Sequence, residues 1–263
     1  MLGLTENSPV PCTLPDGRTV LGIHPAETET IWSEINDDVD SPYRRAAQGL
    51  TESEAIIDVG AHIGLASISF AEQVPGARLF AFEPAPKTFA CLEANLGTYA
   101  PGAVALRKAV GSEPGTAQLT FHPFIASAST LYADRDDDER NMEAYFANNA
   151  VDEAGKEMAW SAFDVKETVP VEVTTLSVVL KEHGIARVGL LKIDVERAEL
   201  EVLRGIDDAS WPRIRRVVLE VHDIDGRLGE TVALLVRRGY RTAVSQTPAF
   251  AGGSVYLVLA SRD

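Results

Sequence analysis

Hydrophobic and polar positions change period repeatedly along this chain, and the changes mark out alternating strands and helices. An apolar run through Ile56, Ile57 and Val59 has the length of a buried strand and ends in the turn Asp58-Val59-Gly60-Ala61-His62-Ile63-Gly64. Helical spacing follows, and a second apolar run over 78–82 ends on Glu83. Strand, glycine turn, helix and acid-tipped strand make the opening βαβ unit of a nucleoside-binding α/β domain. Residues 84–96 predict a helix with Phe89, Leu92 and Leu96 on one face. Residues 104–110 predict a third strand, 111–115 a turn, and 116–121 an alternating strand.

Regular patterning returns with a strand at 169–174 and a helix at 180–183. A buried-type strand at 189–193 then ends at Asp194, and a helix at 196–203 is stopped by Gly205. A strand at 216–221 ends on His222-Asp223, followed by a helix at 232–238 and strands at 240–244 and 254–260. Strands alternating with helices imply an α/β fold with a mostly parallel sheet. The last two strands, joined through Gly252-Gly253, fit an antiparallel hairpin at its edge.

Residues 1–50 read as a separate N-terminal part. A hairpin over 11–23 turns at Pro15-Asp16-Gly17, and helical spacing over 31–50 would cap the cleft or cover the sheet. Residues 51–263 form the main domain, interrupted at about 122–168 by an irregular insertion. An insertion of that size between strands is expected to fold over the site as a lid. Within it, 142–149 predicts a helix, and the acidic run from Asp136 to Glu139 reads as a solvated face with no ligand.

The turn after the first strand decides between nucleosides. Dinucleotide folds use G-x-G-x-x-G so that backbone N–H groups can approach a pyrophosphate. Here Asp58 stands at the strand tip and Gly60 and Gly64 are the turn's glycines. A carboxylate there repels a pyrophosphate and suits a ligand with an ammonium group, such as S-adenosylmethionine, whose ribose hydroxyls Glu83 can accept. The alternative is that the glycines merely make a tight turn and Asp58 caps the helix. His62, inside the turn, is expected to donate to the cofactor through its backbone. An NAD-dependent oxidoreductase shares the βαβ frame, and Asp58 argues against it.

Two later strands end in polar clusters, Lys192-Ile193-Asp194-Val195-Glu196 and Glu220-Val221-His222-Asp223. Period-two alternation puts Asp194 with Glu196 on one side, and Glu220 with His222 on one side. In a parallel sheet both tips share the edge of Asp58 and Glu83. One reading makes His222 a general base on an acceptor hydroxyl, oriented by Asp194 or Glu220. Another has some of Asp194, Glu196, Glu220 and His222 hold a divalent metal such as Mg2+ that acidifies the hydroxyl. A third gives these groups structural work, with Glu196 and Glu199 serving the first turn of a helix.

Charge and cysteine usage narrow the partners. The formal net charge is -15, which disfavours nucleic acid and anionic membranes and favours a small, neutral or cationic acceptor. Cys12 and Cys91 form neither a disulfide framework nor a zinc motif, so a reducing cytoplasm is expected. The first residues lack the basic start and apolar core of a secretory leader, and no stretch has the length of a membrane span.

Four segments carry a resemblance: IIDVGAHIGLAS at 56–67, FAFEPAPKTFACLEANL at 80–96, LLKIDVERAELEVLRGI at 190–206 and VVLEVHD at 217–223. With their order and spacing, over about 30–260, the chain resembles the FkbM family of S-adenosylmethionine-dependent methyltransferases. The resemblance implies a Rossmann-like class I fold with a seven-stranded sheet. It implies cofactor contacts from Asp58, Gly60, Gly64 and Glu83 with the adjoining Pro84, from Lys108 or Ala109 near the adenine, and from Asp194 near the transferred methyl. Many members carry glycine where this chain has Arg197. Members commonly O-methylate small molecules. The stretch SASTLYADRDDDERNMEAYFANN is most similar to members associated with polyketide and peptide natural-product pathways. The acceptor expected is a small hydroxylated molecule, free or tethered to a carrier protein. N-methylation of a similar acceptor is the alternative.

Overall fold

The computed structural model describes residues 8–36 and 41–262. Residues 1–7, 263, and 37–40 within the segment expected to be helical over 31–50, lie outside the described residues. An antiparallel hairpin comes first, β1 (Val10–Thr13) with β2 (Thr19–Gly22), and helices α1 (Pro25–Asn36) and α2 (Pro42–Ala47) follow. The Asn95 side chain donates to Leu21 O and accepts from Leu21 N, both at 2.8 Å, so an amide stands in for a neighbouring strand and fixes this hairpin to the next layer.

The βαβ unit forms as its pattern predicts: β3 (Ala55–Val59), α3 (Leu65–Gln73), β4 (Leu79–Phe82), then α4 (Pro86–Tyr99). The run over 104–110 is two strands rather than one. β5 (Val104–Leu106) pairs with β4, whereas β6 (Ala109–Val110) joins a separate three-stranded sheet with β7 (Gly115–Phe121) and β8 (Glu167–Thr174). Between them the chain turns, Lys108 N donating to Leu106 O at 2.9 Å, and leaves the main ladder. The insertion between β7 and β8 carries α5 (Arg135–Asn148) and α6 (Glu153–Phe163).

After α7 (Leu176–Glu182), β9 (Val188–Ile193), α8 (Glu199–Arg204), β10 (Ile214–His222), α9 (Arg227–Arg237), β11 (Arg241–Ser245) and β12 (Val255–Ser261) complete the fold. The seven-stranded sheet runs β11-β12-β10-β9-β3-β4-β5. β10, β9, β3, β4 and β5 are mutually parallel, and β12 is antiparallel to both its neighbours. The closing hairpin thus forms the antiparallel edge expected of it, with β12 beside β10 and β11 outermost.

Central strands are almost wholly apolar because helices cover both faces. Ile56, Leu79, Leu190 and Val218 pack with Trp32, Ile68 and Leu92 on one face. Ile57, Phe80, Leu191 and Leu219 pack with Leu180, Leu203, Trp211 and Leu235 on the other. Two helix starts depart from the pattern. The helix expected at 142–149 begins at Arg135, capped by the Asp134 side chain, which accepts from Asp137 N. Its acidic first turn suits the helix dipole, so the run 136–139 is a helix N-terminus. The helix expected from 196 begins at Glu199, because Glu196 (φ +50°) and Arg197 (φ +75°) are left-handed.

Candidate active site

Asp58 and Lys192 are register partners on the adjacent parallel strands β3 and β9. Lys192 Nζ lies 3.1 Å from Asp58 Oδ1 and 3.3 Å from Asp194 Oδ2, and donates to Gly60 O at 2.7 Å. Ser67 Oγ donates to Asp58 Oδ2 at 2.6 Å. Burial works against the Lys192 charge, but Asp58 and Asp194 outweigh it and raise the pKa above its ordinary value. Asp58 itself is fully buried and absent from the cavity wall. The direct ligand contact expected of it is corrected accordingly: its carboxylate faces Lys192 and Ser67 inside the fold.

The two turn glycines serve protein packing. A Cβ on Gly60 (φ +78°) would sit 1.7 Å from Asp194 O, so this glycine lets the β3 turn close onto the end of β9. Gly64 (φ +93°) packs against Leu92 of α4 and does not line the cavity, which corrects the cofactor contact expected there.

Over the carboxyl ends of β3, β4, β9 and β10 lies a cavity of about 450 Å³, within the range of small-molecule sites. Gly60, His62, Glu83, Pro84, Lys108 and Ala109 line it on the β4 and β6 side, and Asp194, Glu196, Glu220 and His222 on the β9 and β10 side. Ile31 and Tyr43 from the N-terminal helices and Met142, Tyr145 and Phe146 from the insertion complete much of the wall.

Glu83 accepts from His62 N at 3.1 Å and from Ala85 N at 2.8 Å. Burial pushes its pKa up to about 7, against the lowering effect of those bonds. The His62 backbone thus donates to Glu83 rather than to a ligand. Its ring, lining the cavity, leaves both nitrogens without hydrogen-bond partners, as does Glu27 Oε2, 3.9 Å from His62 Nε2. Burial lowers the His62 pKa, so the ring is neutral.

At the other end His222, 4% exposed, lies with Nδ1 3.0 Å from Asp137 Oδ2 and Nε2 3.1 Å from Glu196 Oε2. Burial opposes the ring's charge, but Glu196 and Asp137 more than reverse this and raise its pKa well above the ordinary value. A ring that keeps its proton near neutrality is poorly suited to accept another, which counts against the general-base role expected for His222. Glu220 is pushed up by burial and by the Asp194 and Glu196 carboxylates.

Asp137, expected on a solvated face, is instead 3% exposed and central to this end. It receives bonds from Ser254 Oγ at 2.5 Å, Arg140 at 2.8 Å, Arg197 Nε at 3.0 Å and Asn141 at 3.1 Å. Burial alone would raise its pKa; the bonds from His222, Arg140 and Ser254 hold it well below the carboxylate range. Arg197 also pairs with Asp138, while Arg227 donates to Arg197 O at 2.7 Å. These contacts hold two left-handed non-glycine residues in place and tie α5 to the end of β9.

The family model for the methyltransferase FkbM domain matches residues 58–242, which run from the buried Asp58 into the start of β11. The chain belongs to the FkbM methyltransferase family. It is 38% identical over 250 residues, 95% of each chain, to 31-O-demethyl-FK506 methyltransferase FkbM of Streptomyces tacrolimicus. It is 37% identical to methyltransferase sdnD of Sordaria araneosa over 73% of this chain and 75% of that one. It is 35% identical to AMB antimetabolite synthetase AmbE of Pseudomonas aeruginosa, matching 95% of this chain but 12% of AmbE. The crystal structure of methyltransferase FkbM from Methylobacillus flagellatus shares the fold, with a TM-score of 0.50 and 15% identity over 83% of this chain and 46% of that one.

This FkbM methyltransferase therefore has a Rossmann-like class I fold, and its Arg197 backbone is left-handed. Sequence reasoning gave no role to Lys192, although period two already sets it on the face of Asp194. Asp137 and Glu27 were also missed; an acidic helix start carries no mark of which carboxylate turns inward.

Proposed function

We propose that this methyltransferase uses S-adenosylmethionine to O-methylate a hydroxyl of a small-molecule natural product. The observation that carries the reading is one cavity with an acid-tipped β4 on one side and a carboxylate-rich β9–β10 edge on the other. The cofactor fits the first side. Glu83 uses two of its roughly four acceptor sites on the protein, which leaves capacity for ribose hydroxyls. The unpartnered His62 and Glu27 atoms call for a polar ligand. Gly60, His62, Glu83, Pro84, Lys108 and Ala109 would hold it, with Asp194 nearest the methyl and Asp58 acting through Lys192. When bound, the cofactor supplies a methyl on a positively charged sulfur, open to in-line displacement.

The remaining residues handle the acceptor. Tyr43, Met142, Tyr145 and Phe146 offer apolar wall for its body. Its hydroxyl meets Asp194, Glu220 and His222, and its proton passes to the carboxylates there. His222, held by Asp137 at Nδ1, orients rather than deprotonates. The likeness to a natural-product methyltransferase and to a segment of AmbE, named a synthetase, supports such a substrate, free or carried by a larger synthase. The acidic edge would also receive an amine, which keeps N-methylation as the second reading. No helix among the described residues is long and apolar enough to cross a membrane, and the buried free thiols Cys12 and Cys91 suit a reducing cytoplasm.

Incubation with methyl-labelled S-adenosylmethionine and hydroxylated polyketides and peptides tests the reading. Label in a base-stable ether product is expected. Label in an amine product would replace O- with N-methylation, and protection of the fold by NADH but not by S-adenosylmethionine would overturn both.

A further inference from the structure

Glu196, Glu220 and His222 each offer a ligand atom within 4.8 Å of the other two. All three line the cavity. His222 is 4% exposed, and its Nε2 makes no hydrogen bond of sound geometry although Glu196 Oε2 lies 3.1 Å away. A buried nitrogen without a hydrogen-bond partner, with two carboxylates within reach, is an arrangement that a shared cation satisfies.

The support behind the ring has the form seen at metal sites. His222 Nδ1 faces Asp137 Oδ2 at 3.0 Å, a carboxylate–imidazole pair that fixes ring orientation and directs Nε2 inward. Asp137 is in turn fixed by Ser254, Asn141 and Arg197. Glu196 is presented from a left-handed backbone, with Thr130 Oγ1 donating to its carbonyl at 2.5 Å. Nearby cations are already committed, Arg197 to Asp137 and Asp138 and Lys192 to Asp58 and Asp194.

We propose that Glu196, Glu220 and His222 bind a divalent cation of the Mg2+ or Mn2+ kind at the acceptor end of the cavity. Two carboxylates and one imidazole suit an oxygen-preferring ion, which takes the place of the proton on His222 Nε2 while Nδ1–H stays on Asp137. They leave positions for water and an acceptor oxygen. The inference rests on the O-methylation reading for its use: the ion lowers the hydroxyl pKa, and the proton passes to Asp194, which is not a ligand. The oxygen then forms the new C–O bond while sulfur keeps the electron pair of the broken S–C bond. Cation binding itself does not depend on that reading.

Titration of MnCl2 alone into the full chain, followed by calorimetry and by loss of the free-ion EPR signal, tests the site. One Mn2+ per chain at micromolar affinity, displaced by MgCl2, is expected. Glu196→Gln and Glu220→Gln should each weaken it about tenfold or more while S-adenosylhomocysteine binding persists. Binding only at millimolar Mn2+, or binding that neither substitution changes, would overturn the site. Failure of S-adenosylhomocysteine to bind the wild type would instead count against the cofactor reading and leave the Mn2+ result interpretable.

Discussion

Asp58 and Lys192, opposite each other on neighbouring parallel strands, form a fully buried ion pair whose cation also holds Asp194 and the Gly60 carbonyl. One side chain thus joins the glycine turn of β3 to the polar tip of β9. The pair is costly to break, because removing one partner strands the other charge in the core. Lys192→Met should lose roughly 3–5 kcal/mol in urea unfolding. The double variant Asp58→Asn/Lys192→Met should recover at least half of that loss. A single variant within about 1 kcal/mol of wild type would show that the pair does not organise the site.

Two glycines should respond in opposite ways to alanine. At Gly60 the added Cβ meets backbone 1.7 Å away and φ is +78°, so Gly60→Ala should abolish S-adenosylhomocysteine binding and lower the melting point. Gly229 is exposed within α9 with nothing within 4 Å of its Cβ position. Gly229→Ala should stabilise by about 0.5–1 kcal/mol through helix propensity. Thermal melts of the two variants give the comparison, and equal effects would remove the close-approach argument.

Stability without ligands should fall as pH rises. Burial, the larger influence on each, pushes Glu83 and Glu199 up to about 7 from the usual 4.5. Groups with raised folded pKa contribute stability that is complete below the unfolded value and is lost as pH climbs through the folded one. His222, raised above 6.5, acts in the same sense over a higher window. Asp137, depressed from 3.8, acts oppositely and matters only in strong acid. The melting point should therefore drop several degrees between about pH 5.5 and 8.5. Glu199→Gln should be near neutral at the lower pH and stabilising by about 1–2 kcal/mol at the higher. A flat profile in both proteins would contradict this.

Arg197→Gly separates strain from tethering. Glycine relieves the left-handed backbone by about 1 kcal/mol, while losing the Asp137 and Asp138 contacts costs about 3 kcal/mol. The net effect should be destabilisation near 2 kcal/mol, with faster amide exchange confined to α5. An Arg197→Gly protein as stable as wild type, with α5 exchange unchanged, would show that the guanidinium does not anchor the insertion.

The parallel sheet was legible because buried strands with two covered faces read as unbroken apolar runs, and because strand tips in such a sheet share an edge. That reasoning placed Glu83, Asp194, Glu220 and His222 around one cavity. It misjudged Asp58, since a residue at a strand tip can face the neighbouring strand as easily as the turn, and nothing local distinguished the two. Asp137 was illegible for a related reason. Its helix begins seven residues before the apolar spacing that announced it, and its partners Arg197, His222 and Ser254 come from distant segments. The split at Lys108 had no period change to reveal it.

The central claim is that the cavity between β4 and β9 receives an S-adenosyl cofactor held by Glu83. Isothermal titration of S-adenosylhomocysteine into wild type and Glu83→Ala tests it most directly. The account predicts one molecule bound per chain in the wild type and affinity weakened about tenfold or more by the substitution, the loss of a charge-assisted hydrogen-bond pair. A wild type that binds none, or a variant that binds equally well, would contradict it.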